Sequence, residues 1–256
     1  QRDWEASSKI HAADLDTPER IGRSAGERAV RRLNPRKVAT VTAPVIWEPR
    51  AATGLVGHLL GAINGAAIAR KTSFLKDRRG GAVFAPGITI VDDPYRPRGL
   101  ASRPFDGEGV AGPVLKLVED GVLNHWLLDG ATARELGLSS NGRASRGTGS
   151  PSPSSTNVTL LPGTVSRDDL LKSVTSGLFV TDMIGSGVNG ITGDYSRGAS
   201  GFWIENGELT DAVSEITVAG NLSDMYARLT AADDIEYRFA IAAPSLMIEG
   251  LTIAGR

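Results

Sequence analysis

Between Arg50 and Arg70 lie 19 consecutive residues, AATGLVGHLLGAINGAAIA, without an Asp, Glu, Lys or Arg. An uncharged run of that length belongs in a bilayer or in a protected protein interior. This one is rich in Ala and Gly rather than Leu, and His58 and Asn64 lie inside it. Both features favour a buried helix in a water-soluble core. Gly57, Gly61 and Gly65 recur every four residues, so they share one helix face. Each costs about 1 kcal/mol relative to Ala. The expectation is that another element packs tightly against this stripe, and that Gly61→Leu overpacks it by about 1–3 kcal/mol.

The rest of the composition narrows the class. The chain has 256 residues, enough for one large domain, and the expectation is a single domain over 1–256 with 1–16 as a linker or edge segment. A net charge of −1 provides no global basic field for nucleic acid. The absence of Cys removes disulfides, thiol nucleophiles and thiolate metal sites together. With no basic-then-apolar leader after Gln1, a reducing, cytoplasmic setting is expected.

Taken in order, the chain alternates helix starts with β-rich segments. Thr17-Pro18-Glu19 opens a helix that Asn34-Pro35 closes. Lys37 to Trp47 reads as a strand, with Pro44 marking an edge or its end. Gly87 to Pro94 is a second strand. Phe105-Asp106-Gly107-Glu108-Gly109-Val110 brings two carboxylates close together; acid/base work or a hard-cation site is conceivable, but a turn is favoured. Val114 to Leu128 is a hairpin about Asp120-Gly121, and Asp129 caps a short helix. The polar segment Ser139 to Asn157 leads to a strand over 158–161. Its serines lack a nucleophile-elbow pattern. Ser166 caps a helix that ends at Gly177, and Leu178 to Ile184 is a strand. Val213 to Val218 is another, Asn221 or Ser223 caps a helix through DMYARLTAA, and two strands close the chain. Hairpin-linked strands with scattered helices predict an α+β fold, with a largely antiparallel sheet or barrel-like core.

The stretch Gly185 to Gly207, GSGVNGITGDYSRGASGFWIENG, carries the candidate site. Five glycines inside it interleave with polar and apolar side chains, unlike a monotonous flexible linker. Glycine permits positive φ and close backbone approach. Gly185, Ser186, Gly187, Asn189, Thr192, Gly193, Asp194, Tyr195, Ser196 and Arg197 are therefore read as a shaped loop that binds a peptide or a partner. In this reading Asp194 and Arg197 either brace each other or meet charges across an interface. The competing reading is an ordered loop with only a packing role. Asn206-Gly207 then marks a type I′ hairpin.

The strings Ala199 to Glu208 (ASGFWIENGE), Val213 to Leu222 (VSEITVAGNL), Ala243-Pro244-Ser245-Leu246 and Phe105-Asp106-Gly107-Glu108-Gly109 resemble the PmbA/TldD family, once called modulators of DNA gyrase. The resemblance is to its PmbA branch, also called TldE, and runs from about Leu15 onward. It implies a C-terminal domain whose N-terminal companion is absent from this chain. In the catalytic TldD branch the corresponding helix carries an HExxxH zinc motif. His58 aligns with its first His, while Leu59 and Ile63 stand where the Glu and second His belong. The resemblance therefore implies a chain that binds no metal or other cofactor, with His58 vestigial. It would act as a non-catalytic subunit beside a zinc-bearing, TldD-like peptidase, with a homodimer as the alternative for the isolated chain and a peptide as substrate. Neither membrane nor nucleic acid is an expected partner. An autonomous peptidase using Asp106, Glu108 and His58, and a gyrase-regulating protein, are the competing readings.

Overall fold

The computed structural model describes residues 1–255. After a short 3-10 turn at Ala12–Asp14 come α1 (Pro18–Arg31), β1 (Val41–Trp47), α2 (Pro49–Ala62) and α3 (Gly65–Ala69). A central group follows: β2 (Ile90–Asp93), β3 (Leu115–Glu119), β4 (Val122–Leu123), α4 (Gly130–Glu135), β5 (Ala144–Ser145), β6 (Ser152–Pro153), β7 (Asn157–Leu160) and α5 (Arg167–Lys172). The last third holds β8 (Ser176–Ile184), β9 (Asp194–Glu205), β10 (Glu208–Asn221), α6 (Leu222–Ala227), β11 (Leu229–Ala231), β12 (Ile241–Ala242) and β13 (Leu246–Ala254).

The fold is α+β, as the hairpin pattern predicts. Strands β1, β8, β9, β10 and β13 hydrogen-bond in that order, and β13 returns to β1, so five strands close into a barrel. Every seam is antiparallel except β1–β8, which is parallel. Pro44, the expected edge marker, instead sits where the β1–β13 register shifts between Ala43 and Val45. A proline that cannot donate is tolerated at such a bulge. The period-2 alternation of β1 sends Val45 and Trp47 into the large core, while Ile46 joins a smaller cluster with Leu170, Phe179 and Phe202. A second sheet, β12-β7-β2-β3-β4, shares the large core through Ile90, Leu117 and Leu160. Helix α2 touches β1 and β8 of the barrel and β12 of this sheet, which accounts for its uncharged sequence.

The turn chemistry follows the residues. Asp120 and Gly121 take φ of 46° and 79°, and Asn206 and Gly207 take 51° and 81°, the two positive angles of type I′ turns. Thr17, Asp129, Ser166 and Asn221 each cap a helix N-terminus through the side chain.

Four expectations are corrected. The 19-residue run is not one helix: Ile63 ends α2, and Asn64 starts α3 by accepting from the Ala66 amide, so a side-chain cap competes with continuing the helix. Gly177 is not a helix end but lies within β8, paired with Ile204. The segment after Asn221 is helical only to Ala227, and Leu229–Ala231 adds β11 beside β13. Residues 194–197 belong to β9 rather than to a loop.

Buried electrostatics hold the second sheet. Arg143 and Asp92 are both fully buried and pair at 2.8 Å. Asp92 also accepts from the Thr156 amide and hydroxyl, and Arg143 donates to the carbonyls of Asp92 and Pro113. The Asp106 string is a turn, as favoured: its carboxylate accepts from the amides of Glu108, Val110 and Ala144.

Candidate functional site

The segment between β8 and β9 is a braced loop. Asn189 accepts at Oδ1 from the Ile191 amide at 2.9 Å, and the Gly193 amide donates to the Asn189 carbonyl. Gly187 receives the Ser196 amide at 2.7 Å, and a β-carbon there would collide with the Ser196 carbonyl. This is a close backbone approach only glycine allows. Two contacts from outside complete the bracing: the Phe74 amide donates to Gly190, and the Leu222 amide donates to Gly193. Asn221 donates to the Thr192 carbonyl and to the Asp194 carboxylate.

Asp194 and Arg197 do not pair. They are three residues apart on a strand, so their side chains leave opposite faces. Asp194 accepts from Thr192 Oγ1 and Asn221, hydrogen bonds that hold its pKa below the ordinary value. Arg197 donates from Nε to the Gly185 carbonyl at 2.9 Å, and its Nη1 lies 3.5 Å from His58 Nε2. Arg197 has no carboxylate partner among the described residues.

These side chains meet at a cavity of about 530 Å³. One wall is the α2 face bearing Gly57, His58 and Gly61; the other comprises Gly185, Ser186, Val188, Gly190 and Arg197, and Thr72 and Phe74 also line it. A β-carbon placed on Gly57 or Gly61 would meet nothing within 4 Å. The glycine stripe is therefore not a packing seam, as the sequence suggested, but the open wall of a cavity; only Gly65 is tightly packed. On the other flank of the loop, Ser186, Gly187, Asn189, Asp194 and Ser196 line a shallow depression of about 720 Å³. Thr192, Gly193 and Tyr195 line neither hollow. Gly193 and Tyr195 are buried, and Thr192 supports Asp194. Gly57, Gly61, Thr72 and Phe74 escape sequence reasoning; the two glycines flanking His58 were the available signal.

Burial, and then the Arg197 charge, push the His58 pKa below its ordinary value, so the imidazole is neutral at neutral pH. The Tyr195 ring stands edge-on to His58 at 5.9 Å, and burial pushes its phenol up to about 12. The wall thus exposes a neutral imidazole and a guanidinium to the cavity, while the protonated Tyr195 phenol is buried beside the imidazole. These residues do not fit a zinc ion. Such a site needs about three protein ligands. Leu59 and Ile63 are fully buried in the core, and the Arg197 guanidinium stands beside His58 Nε2. Among the described residues no three His, Asp or Glu side chains gather as a metal site. Asp106 and Glu108 do not join His58: Asp106 is spent on its own turn, and Glu108 accepts from the Gly130 amide at the start of α4. No helix among the described residues is long and apolar enough to cross a membrane.

A closed five-strand barrel, flanked by α2 and by the β8–β9 loop with an open hollow between them, defines an α+β barrel domain. Residues 40–255 match the PmbA/TldA metallopeptidase C-terminal domain, and the chain belongs to the PmbA/TldD family. It is 43% identical to the metalloprotease PmbA of Escherichia coli O157:H7 over all of this chain and 55% of that protein. A crystal structure of a candidate modulator of DNA gyrase from Bacteroides thetaiotaomicron superposes with a TM-score of 0.88 at 31% identity, over 98% of this chain and 55% of the other. TldE from Thermococcus kodakarensis superposes with a TM-score of 0.84 at 25% identity, over 94% and 56%. The chain spans about half the length of the curated relatives it matches.

Proposed function

We propose that this chain is the C-terminal part of a non-catalytic subunit that assembles with a TldD-like zinc peptidase and helps to enclose its peptide substrate. The observation that carries the reading is Arg197 beside His58. A guanidinium 3.5 Å from the imidazole nitrogen repels a divalent cation and, after burial, is the second cause that lowers the His58 pKa. The cavity is then a place to hold peptide rather than to cleave it, with zinc and the activated water supplied by the partner. Arg197 and Ser186 offer donors to peptide carbonyls or carboxylates, while Gly57 and Gly61 let a main chain lie close to α2. Ser196, Asn189 and Asp194, which line the shallow hollow on the outer flank of the loop, would meet the partner in this proposal. A cytoplasmic setting accords with the absence of Cys. Near-neutral net charge gives the gyrase-regulating reading no physical support.

The test is reconstitution with a TldD-like partner and a peptide substrate. Gly61→Leu projects a side chain into the cavity without a clash at its β-carbon, and Arg197→Ala removes the cation. Both variants are expected to fold and assemble but to cleave peptide more slowly. Parental cleavage rates in both would remove the cavity from the function.

A further inference from the structure

A second pocket, of about 200 Å³, lies on the opposite face of β8 and β9 from Leu178, Val180 and Trp203, beside the smaller hydrophobic cluster. Five arginines reach it: Arg28, Arg31, Arg32, Arg50 and Arg167. Two of them are neutralised. Arg50 pairs with Asp3 at 3.1 Å and Glu48 at 2.9 Å, and Arg32 pairs with Asp3 at 3.2 Å. Arg28 is satisfied only on one side, where Nη2 meets Glu5 at 3.3 Å; its Nη1 is buried with no hydrogen-bond partner. Arg31 and Arg167 have no carboxylate partner among the described residues.

Those two guanidinium groups are nonetheless held in place. Arg31 lies over the Phe202 ring at 5.1 Å and Arg167 over the Phe179 ring at 5.2 Å. Phe179 and Phe202 are direct cross-strand partners of β8 and β9, so the rings, and the cations resting on them, stand side by side. The remaining acidic groups of the wall are already engaged. Asp234 accepts from the Ser245 amide and hydroxyl at 2.7 Å each, and Glu236 holds Arg238. Neutral donors leave the Asp234 charge in place, so the five arginines of the wall outnumber its four carboxylates by one, and Arg31 and Arg167 keep unused N–H donors whose planar forks match the oxygens of phosphate or carboxylate. Stacking on aromatic faces fixes them before any ligand arrives.

We propose that this pocket binds a small oxyanion, a phosphate or carboxylate group, between Arg31 and Arg167 with Arg28 behind them. Titration calorimetry on the full-length protein tests it, with inorganic phosphate and with acetate as separate probes, at constant ionic strength because exposed charges are screened by salt. Saturable binding of at least one probe is expected. Arg31→Gln and Arg167→Gln should each weaken it about tenfold or more. Both side chains are exposed and each gives up one aromatic contact, so the melting temperature without ligand should fall by no more than about 2–4 °C, and Arg146→Gln, outside the pocket, should bind as the parent does. Preference for phosphate identifies a phosphorylated or free phosphate ligand; preference for acetate identifies a peptide or metabolite carboxylate. Absence of saturable binding with both probes, or binding undiminished in both pocket variants, overturns the proposal.

Discussion

Gly57, Gly61 and Gly65 follow one spacing in the sequence, but a single added methyl group is expected to act on them with opposite signs. At Gly57 and Gly61 an ideal β-carbon has no neighbour within 4 Å, and neither residue has a positive φ. Alanine there should reduce the freedom of the unfolded chain and favour the helix, by about 0.5–1 kcal/mol at each site. The two β-carbons would be ordinary helix-surface neighbours about 5–6 Å apart, so the double variant should gain about 1–2 kcal/mol. For a domain of this size that corresponds to a rise in melting temperature of roughly 2–8 °C. At Gly65 the β-carbon would lie 2.7 Å from the Leu127 carbonyl oxygen and 2.9 Å from Leu128 Cδ2. That carbonyl accepts from the Gly65 amide at 2.8 Å and cannot withdraw without losing the bond. Gly65→Ala should therefore destabilise by about 1–3 kcal/mol. Denaturant unfolding reads all three variants as midpoint shifts at constant slope. If Gly57→Ala and Gly61→Ala both lose stability, α2 packs against something along this face, and the cavity reading fails with it.

Three further outcomes are expected. Asp92→Ala strands the fully buried Arg143 and should lower stability by about 3–5 kcal/mol in the same assay. The His58 ring should titrate by NMR below its ordinary value near 6.5, and Arg197→Gln should raise that pKa by removing one of its two causes. Because the folded pKa is the lower one, the unfolded chain takes up the proton first as pH falls. The stability His58 contributes above about pH 6.5 is then lost as pH drops through the folded pKa, and His58→Gln should flatten that part of the profile, leaving the same-signed contribution of His125. The isolated chain should carry no stoichiometric zinc by elemental analysis after dialysis; about one zinc per chain, lost in His58→Ala, would refute the non-catalytic reading.

The fold was legible where one residue dictates local geometry. Asp120-Gly121 and Asn206-Gly207 announce their turns because few residues tolerate positive φ, and Thr17, Asp129 and Ser166 announce helix starts because their side chains satisfy otherwise orphaned amides. Barrel closure was not legible in detail: the β1–β13 and β1–β8 pairings are decided by packing between distant segments, which periodicity does not encode. The candidate site was half legible. The loop's glycines pointed to a shaped segment, but residues 194–197 read as its continuation because polar residues and Gly198 and Gly201 carry on into β9. The stripe on α2 misled for a simple reason: small residues look alike whether they admit a neighbouring helix or leave room for a ligand.

The circular order of the barrel strands also bears on how the chain reaches its native state. Val41 must find Ile253, and Val45 must find Leu178, before the cylinder is complete. By contrast, the β3–β4 hairpin and the β8–β9–β10 meander join neighbours in sequence and can assemble in microseconds. The two seams of β1 therefore carry most of the loop-closure entropy and set a slow, high-contact-order step. Once closed, β1 is flanked on both sides by paired strands, so its amides should exchange with solvent only through global opening, while the ends of the short second sheet exchange through local fraying.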